Sequence, residues 1–384
     1  MRRRDFIKFI IAFLVVSGTG GIIYRFATRE PGFEGPRTTK PEKDNLEGMV
    51  SIEYIADNLK IPWSIIPLDG KRYIVSERPG NILAILEGDR RRLIKSFNVA
   101  SVGEAGLLGL TLHPEFPSKP YLYAYLSYYN NSNSILNRVV RIRVDPSTLK
   151  ADSWNTIIDG IPGGYIHDGG RIRFGPDDKL YITTGDAARP ELAQRLDSLA
   201  GKILRVEDDG EIPGDNPFGN SPIYTYGHRN PQGIDWSPAK QYMVSSEHGP
   251  VGHDEINIIY PGRNYGWPHV KGVASRSGYM DPIIESGPNT TWAPSGISFI
   301  KGHMFNEFKG DLLVACLRGQ RLLRIRILDE NTAYIAEELF VDRFGRIRDV
   351  TIDHDGSILF LTSNTDGRGK PRAGDDKLVK LSIN

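Results

Sequence analysis

After residue 51 the chain repeats one theme six times, and this limits its fold more than any other feature. Each round is an apolar strand, a turn built on proline or Asp-Gly, a second strand ending in a polar loop, and a further strand. The rounds run over 62–85, 109–144, 170–206, 233–259, 296–328 and 349–381. Their spacing, roughly 45–65 residues, is that of propeller blades carrying some long loops. No unit of this kind buries both of its faces alone, so neighbours must stack around an axis. The chain is therefore read as all-β: a six-bladed β-propeller over 49–384, with long functional loops on one face converging on the central channel. The last strand, 377–383, is expected to pair near the first blade and close the ring. Helical periodicity is nearly absent; 192–199 could form a short helix. The 41 glycines and 25 prolines supply the turns such a fold needs.

The N-terminus reads differently. Arg2-Arg3-Arg4-Asp5-Phe6-Ile7-Lys8 is basic, 9–16 is apolar, and 18–23 continues with small and apolar residues. The apolar part is shorter than the ~20 residues of a comfortable spanning helix and fits a signal segment better. Arg3-Arg4-Asp5-Phe6-Ile7-Lys8 has the twin-arginine form that addresses a folded protein for export. No clean Ala-x-Ala site follows, so 1–28 could stay as a membrane anchor. Residues 29–48, rich in proline, glycine and charge, read as a linker. The expected location is extracytoplasmic, a periplasmic-type space or the cell surface, and a monomer is expected. The formal net charge of +1 gives no bulk electrostatic case for a nucleic-acid partner. A single cysteine, Cys316, forbids an intrachain disulfide and any multi-cysteine metal site. The 5 methionines and few glutamines point weakly toward heat stability.

The stretch 163–186 carries the first chemical signal. Its second half reads as two strands about the turn Pro176-Asp177-Asp178; its first half is glycine-rich and places His167 on a loop held by a rigid sheet. Taken alone, such a histidine could equally bond a turn backbone. Arginines recur in loops of other rounds: Arg229 in Tyr226-Gly227-His228-Arg229-Asn230-Pro231-Gln232-Gly233, Arg318 after an apolar run, and Arg346 and Arg348 at period two, pointing to one side of an extended segment. A propeller can focus these on one axis. Guanidinium forks hold carboxylates bidentately, so convergence predicts a small anionic ligand with several carboxylates; each arginine singly could be solvated surface. Residues 246–257 are dense in oxygen donors, with carbonyls beside Gly249 and Pro250, and suit a hard cation such as calcium as well as they suit a bonded turn. No Walker loop, Rossmann fingerprint, Gly-x-Ser-x-Gly elbow or CxxC is present.

Six motifs in order resemble the soluble quinoprotein sugar dehydrogenases of the glucose/sorbosone dehydrogenase family, closest to the shorter aldose sugar dehydrogenase branch. They are Gly106-Leu107-Leu108-Gly109-Leu110 through His113-Pro114-Glu115-Phe116; His167-Asp168-Gly169-Gly170-Arg171; 227–233; Glu247-His248-Gly249-Pro250 with Asp254-Glu255-Ile256-Asn257; Asn264-Tyr265-Gly266-Trp267-Pro268; and Arg346-Ile347-Arg348-Asp349. The resemblance implies pyrroloquinoline quinone (PQQ) and Ca2+ as cofactors, an aldose as substrate, oxidation at C1 to the lactone, and an external electron acceptor. It implies His167 as general base, with Arg348 beside it in the catalytic set. It implies Glu104, Arg229, Asn230, Thr291, Arg318, Arg346 and Arg348 as cofactor-binding, the Gly249 and Pro250 carbonyls on a calcium at the quinone, and Glu255 and Tyr265 at a second, structural calcium. Three positions depart from the family pattern: Glu104 stands where glutamine is common, Arg318 where lysine is usual, and Ile166 where some members have an aspartate before the base.

Two other functions fit the same fold. A calcium-dependent lactonase-type propeller hydrolase would centre several carboxylates and asparagines on the axis and have no use for the arginines. A non-catalytic exported propeller binding sugar or protein would not bind PQQ.

Overall fold

Second strands such as Leu180–Thr184 and Leu312–Cys316 are buried along their whole length, because β-branched and aliphatic side chains pack on both faces of an interior sheet. The computed structural model describes residues 45–240 and 242–383. These form six four-stranded antiparallel sheets, each a blade whose first strand is innermost. Blade 1 is Pro62–Pro67, Tyr73–Glu77, Asn81–Leu86 and Arg90–Ser96. Blade 2 is Leu107–Leu112, Tyr121–Tyr129, Ile135–Val144 and Ala151–Pro162. Blade 3 is Ile172–Phe174, Leu180–Thr184, Lys202–Val206 and Ile223–Tyr226. Blade 4 is Pro231–Trp236, Met243–Glu247, Glu255–Ile259 and Ile284–Glu285. Blade 5 is Pro294–Phe299, Leu312–Cys316, Arg321–Asp329 and Thr332–Leu339. Blade 6 is Ile347–Ile352, Ile358–Thr362, Leu378–Ile383 and, outermost, Val50–Ala56. The six-bladed propeller expected from the repeat is the fold, and 192–199 holds only the end of a 3-10 turn, Pro190–Gln194.

The sequence rounds stop at the third strand of each blade. The fourth strands are half-exposed and polar, as in Arg90–Ser96, and carry no apolar run to betray them. Ring closure also differs from expectation. The last strand pairs with the first one of the chain, Val50 opposite Ile383 and Tyr54 opposite Val379, so an N-terminal strand completes blade 6. Just before it, Leu46–Met49 form one helical turn. Leu46 is fully buried against Phe305, Leu339 and Phe340, and Glu47 accepts the Phe340 N–H at 2.8 Å. The end of the segment read as a linker therefore belongs to the folded body; the signal and the rest of the linker lie outside the described residues.

The core lies between blades. Ile74, Ile82 and Ala84 of blade 1 pack on Leu107, Leu110 and Leu122 of blade 2, and Val244 and Ile256 of blade 4 on Ile297, Phe299 and Val314 of blade 5. No blade buries its apolar faces without its neighbour, so the ring is the unit of stability.

Candidate active site

Blade 2 ends at Pro162 and blade 3 begins at Ile172; the connection between them carries His167. The backbone there is tight: His167 has φ +64°, and a side chain on Gly185 would place its Cβ 1.9 Å from the His167 carbonyl oxygen. A left-handed non-glycine residue so held marks a site whose surroundings over-determine it. The imidazole Nδ1 lies 2.8 Å from Asp186 Oδ1. Asp186 is fully buried and also accepts the Ala188 N–H and the Trp267 indole N–H, each at 2.8 Å. Its other neighbours are thus donors, which assigns the Nδ1 proton to the imidazole and the acceptor role to the carboxylate. Among the described residues no hydrogen bond occupies Nε2, whose lone pair is left to accept a proton. Ile166 cannot orient the ring; Asp186 does.

A cavity of ≈ 390 Å³ lies on the axis, with walls from blades 1, 4, 5 and 6 and from the loop entering blade 2. Arg78, Arg318, Arg346, Arg348 and Arg368 line it against two carboxylates, Glu104 and Asp366. Arg346 places Nε and one terminal nitrogen on Asp366 Oδ2, at 2.9 and 2.7 Å. Arg348 donates to Gln232 Oε1 at 2.8 Å and sits over the Trp63 ring, 5.7 Å from its centre. Burial pushes the Arg348 guanidinium down to about 9, and its Nε is buried without a partner, as is that of Arg78. Buried donors of this kind call for an anion.

Glu104 joins this cavity to the histidine. Its Oε2 accepts the His167 backbone N–H at 2.9 Å and Asn230 Nδ2 at 3.3 Å, and its Oε1 lies 2.9 Å from Arg368. Burial alone would raise its carboxyl, but the neighbouring His248, the His167 N–H and Arg368 hold it below the usual carboxylate range. The glutamate is therefore a paired anion. Asn230 accepts the Gly169 N–H at 3.0 Å and so fixes both site loops from below the cavity.

A second, smaller space of ≈ 10 Å³, enough for a single small occupant, adjoins it across His248. Arg229, Gly249, Pro250, Glu255 and Tyr265 all line it, so the two calcium positions expected apart share one wall. The Gly249 carbonyl already accepts Arg229 at 2.7 Å. Tyr265 spends its hydroxyl on the Ile258 carbonyl and the Tyr260 N–H, at 2.8 and 2.9 Å, leaving its backbone carbonyl as the donor it can offer a metal. Glu247, Glu255 and Glu285 stand side by side on three adjacent strands. Glu247 meets His228 at 2.8 Å and Glu285 meets His253 at 2.6 Å. Glu255 has only Asn257 Nδ2 and the Gly272 N–H, and burial together with Glu247 pushes its carboxyl up to about 8. Burial also drives His248 down to about 4, which keeps that wall neutral. Thr291 lines neither space. Its hydroxyl donates to Asp254 Oδ2 at 2.8 Å beside the Trp292 and Ala293 N–H groups, while Asp254 Oδ1 holds the Gly249 N–H, so Thr291 fastens a loop and Ala293 faces the cavity.

Asp186, Trp267, Arg78, Asp366 and Arg368 escape the sequence reading as site residues. One signal for Asp186 was available in the repeat: the second strand of blade 1 ends in Glu77, that of blade 4 in Glu247, and that of blade 3 runs on to Asp186. Acids recurring at that corner face the loops above the sheet.

Fold and site together define a propeller with an arginine-lined axial cavity beside a histidine–aspartate pair. The chain belongs to the glucose/sorbosone dehydrogenase family, whose model matches residues 59–372. It is 30% identical over 341 residues to the aldose sugar dehydrogenase YliI of Escherichia coli (strain K12), covering 83% of this chain and 91% of that one. It is 33% identical over 273 residues to the quinoprotein glucose dehydrogenase B of Acinetobacter calcoaceticus, covering 62% of this chain and 56% of the relative. The solved PQQ-bound aldose sugar dehydrogenase of Streptomyces coelicolor superposes with a TM-score of 0.79 at 37% identity, over 87% of this chain and 98% of that one. The family and these neighbours make the protein an oxidoreductase of the sugar dehydrogenase type.

Proposed function

We propose that the chain binds PQQ in the axial cavity and oxidises aldoses at C1 to the lactone, outside the cytoplasm, passing electrons to an external acceptor. The observation that carries this reading is charge. Five guanidiniums against two carboxylates leave three net positive charges around the cavity, which matches a tricarboxylate. The partnerless Nε atoms of Arg78 and Arg348 and the fork of Arg318 would hold its carboxylates, while Arg346, whose Nε and one terminal nitrogen are on Asp366, adds its charge. PQQ, when bound, supplies the acceptor for the hydride that leaves C1. His167 Nε2 takes the proton of the anomeric hydroxyl, and Asp186 stabilises the imidazolium that results. Glu104 holds the His167 backbone in place and, being paired with Arg368, adds little free negative charge.

Calcium fits less evenly. The row of Glu247, Glu255 and Glu285 supplies carboxylate oxygens of the hard kind that calcium takes, though Glu247 and Glu285 are already paired with His228 and His253. The Gly249 carbonyl accepts the Arg229 guanidinium, whose charge opposes a cation on the same oxygen, so no catalytic step is assigned to a metal there. An absorbance titration of the protein with PQQ and calcium, followed by an aldose, tests the reading. Saturable cofactor binding and bleaching by glucose or xylose are expected. Binding without turnover of any aldose or simple alcohol would remove the activity, and no PQQ binding would remove the reading altogether.

A further inference from the structure

The axial cavity is small for what it is asked to hold. At ≈ 390 Å³ it lies near the lower end of the ~300–1,000 Å³ of ligand sites, and a fused tricyclic cofactor with one pyranose ring uses that space. Any further ring of a longer sugar must lie outside, on the rim beside the base. The rim there is the 163–167 loop, and it presents Tyr165. This side chain is 66% exposed. Among the described residues the other exposed aromatic side chains, Tyr54, Tyr129 and Trp154, belong to strands of the blades, away from the loop that holds the base.

Tyr165 is exposed but not loose. Its carbonyl accepts the Glu104 N–H at 2.9 Å. Its ring rests on Gly103, where φ is +57° and an added Cβ would come within 2.9 Å of the ring and 2.0 Å of the Tyr165 carbonyl oxygen. Its hydroxyl belongs to the electrostatic surroundings of Arg78, which lines the cavity. The ring is thus backed along one edge by Gly103, next to Glu104 of the cavity wall and two residues from the base, with most of its surface in water. A rigid aromatic face loses little conformational entropy on binding and offers an apolar plane with a polar tip. The C–H face of a pyranose is its complement.

Resting on the function proposed above, we propose that Tyr165 forms an outer sugar subsite, a stacking platform for the second ring of a disaccharide whose reducing ring is oxidised at His167. Steady-state kinetics of the full chain loaded with PQQ and calcium, with glucose and maltose as probes, test it. Tyr165→Ala is expected to raise KM for maltose about tenfold while KM for glucose stays within about twofold and kcat on both sugars is kept; Tyr165→Trp is expected to retain the wild-type maltose KM. An unchanged maltose KM in Tyr165→Ala, an equal rise for both sugars, or a Tyr165→Trp as impaired as the alanine variant would overturn the subsite. If Tyr165→Ala does not fold, Tyr165→Leu, which keeps apolar bulk but no aromatic face, carries the same expectation. Wild-type protein that binds PQQ and turns over neither sugar would overturn both the function and the subsite, whereas turnover of glucose with no effect of Tyr165 on maltose overturns the subsite alone.

Discussion

Trp267 donates its indole N–H to Asp186 at 2.8 Å, on the carboxylate oxygen opposite the one that holds His167. The same indole lies 5.3 Å from the Arg229 guanidinium. A side chain from the loop between the third and fourth strands of blade 4 thereby steadies the acceptor that sets the tautomer of a base before blade 3, and neither residue needs to touch a substrate.

Asp186 is accordingly a positioning residue, and Asp186→Asn is the sharper test of it. An amide can donate to Nδ1, which moves the imidazole proton to Nε2 and removes the base. A fall in kcat of about 10²–10⁴-fold is expected, the range seen when a histidine is left in the wrong tautomer, with PQQ affinity within a few-fold of wild type. The acidic limb of the pH–rate profile should flatten. Trp267→Phe should cost about tenfold or less, since the Ala188 N–H still holds the carboxylate. Cofactor titration beside steady-state kinetics separates these effects from a loss of fold.

Arg346 gives both of its recorded side-chain bonds to Asp366, with Arg348 at 3.9 Å from the same carboxylate. Removing Arg346 alone leaves Asp366 facing the cavity with less compensation, and truncating one partner of a buried charge pair costs about 2–5 kcal/mol. Arg346→Ala is therefore expected to weaken PQQ binding by roughly 30- to 4,000-fold. The double variant Arg346→Ala with Asp366→Ala should bind more tightly than the single one, because the repulsive carboxylate goes with it. Fluorescence or absorbance titration of the three proteins gives the coupling directly, and a double variant weaker than the single would refute it.

Much of this was legible before any coordinates. The six rounds gave the blades because inner strands are buried on both faces and read as apolar runs; the outer strands, polar and half-exposed, gave no such run. Arg318, Arg346 and Arg348 converge as a propeller axis requires, and Glu104 joins them. Arg78, Arg368 and Asp366 were not legible, since an arginine in a turn looks like solvated surface until blades 1 and 6 are placed side by side. The bond that ties Thr291 to Asp254 was not legible either: its motif lies beside the cavity, but which side chain of a loop faces inward is set by its bonds. Gly249 and Pro250 were expected at one calcium and Glu255 and Tyr265 at another; that all four line one space was not legible, because it depends on how the loops of blade 4 fold back on its strands.

Asp168, next to the base, is buried with one carboxylate oxygen unpartnered, and burial pushes its carboxyl up to about 7. A folded-state value above the unfolded 3.8 means the native protein holds a proton that the unfolded chain gives up. Stability from this group is thus present at low pH and lost as pH rises from about 4 toward 7, by up to on the order of 4 kcal/mol above that range. Asp168→Asn keeps the shape without the charge. It should raise Tm at pH 8 and leave Tm nearly unchanged at pH 4, as read by thermal unfolding at both values.

Glu255 has the same sign for a different reason, and a cation changes the outcome. Its carboxyl sits between Glu247 and Glu285, raised to about 8 by burial and by Glu247, so the metal-free protein should lose stability as pH rises from about 4.5 toward 8. A calcium held on this row would replace the proton, and a ligand at 100 times its Kd stabilises the native state by about 2.7 kcal/mol. Calcium is therefore expected to raise Tm more at pH 8 than at pH 5, where it competes with protons. Glu255→Gln removes the charge that both of them neutralise. That variant should melt higher than wild type in chelator at pH 8 and respond little to added calcium. A wild-type Tm that does not move with calcium at either pH would mean that the row of glutamates is neutralised by protons and by its two histidines alone.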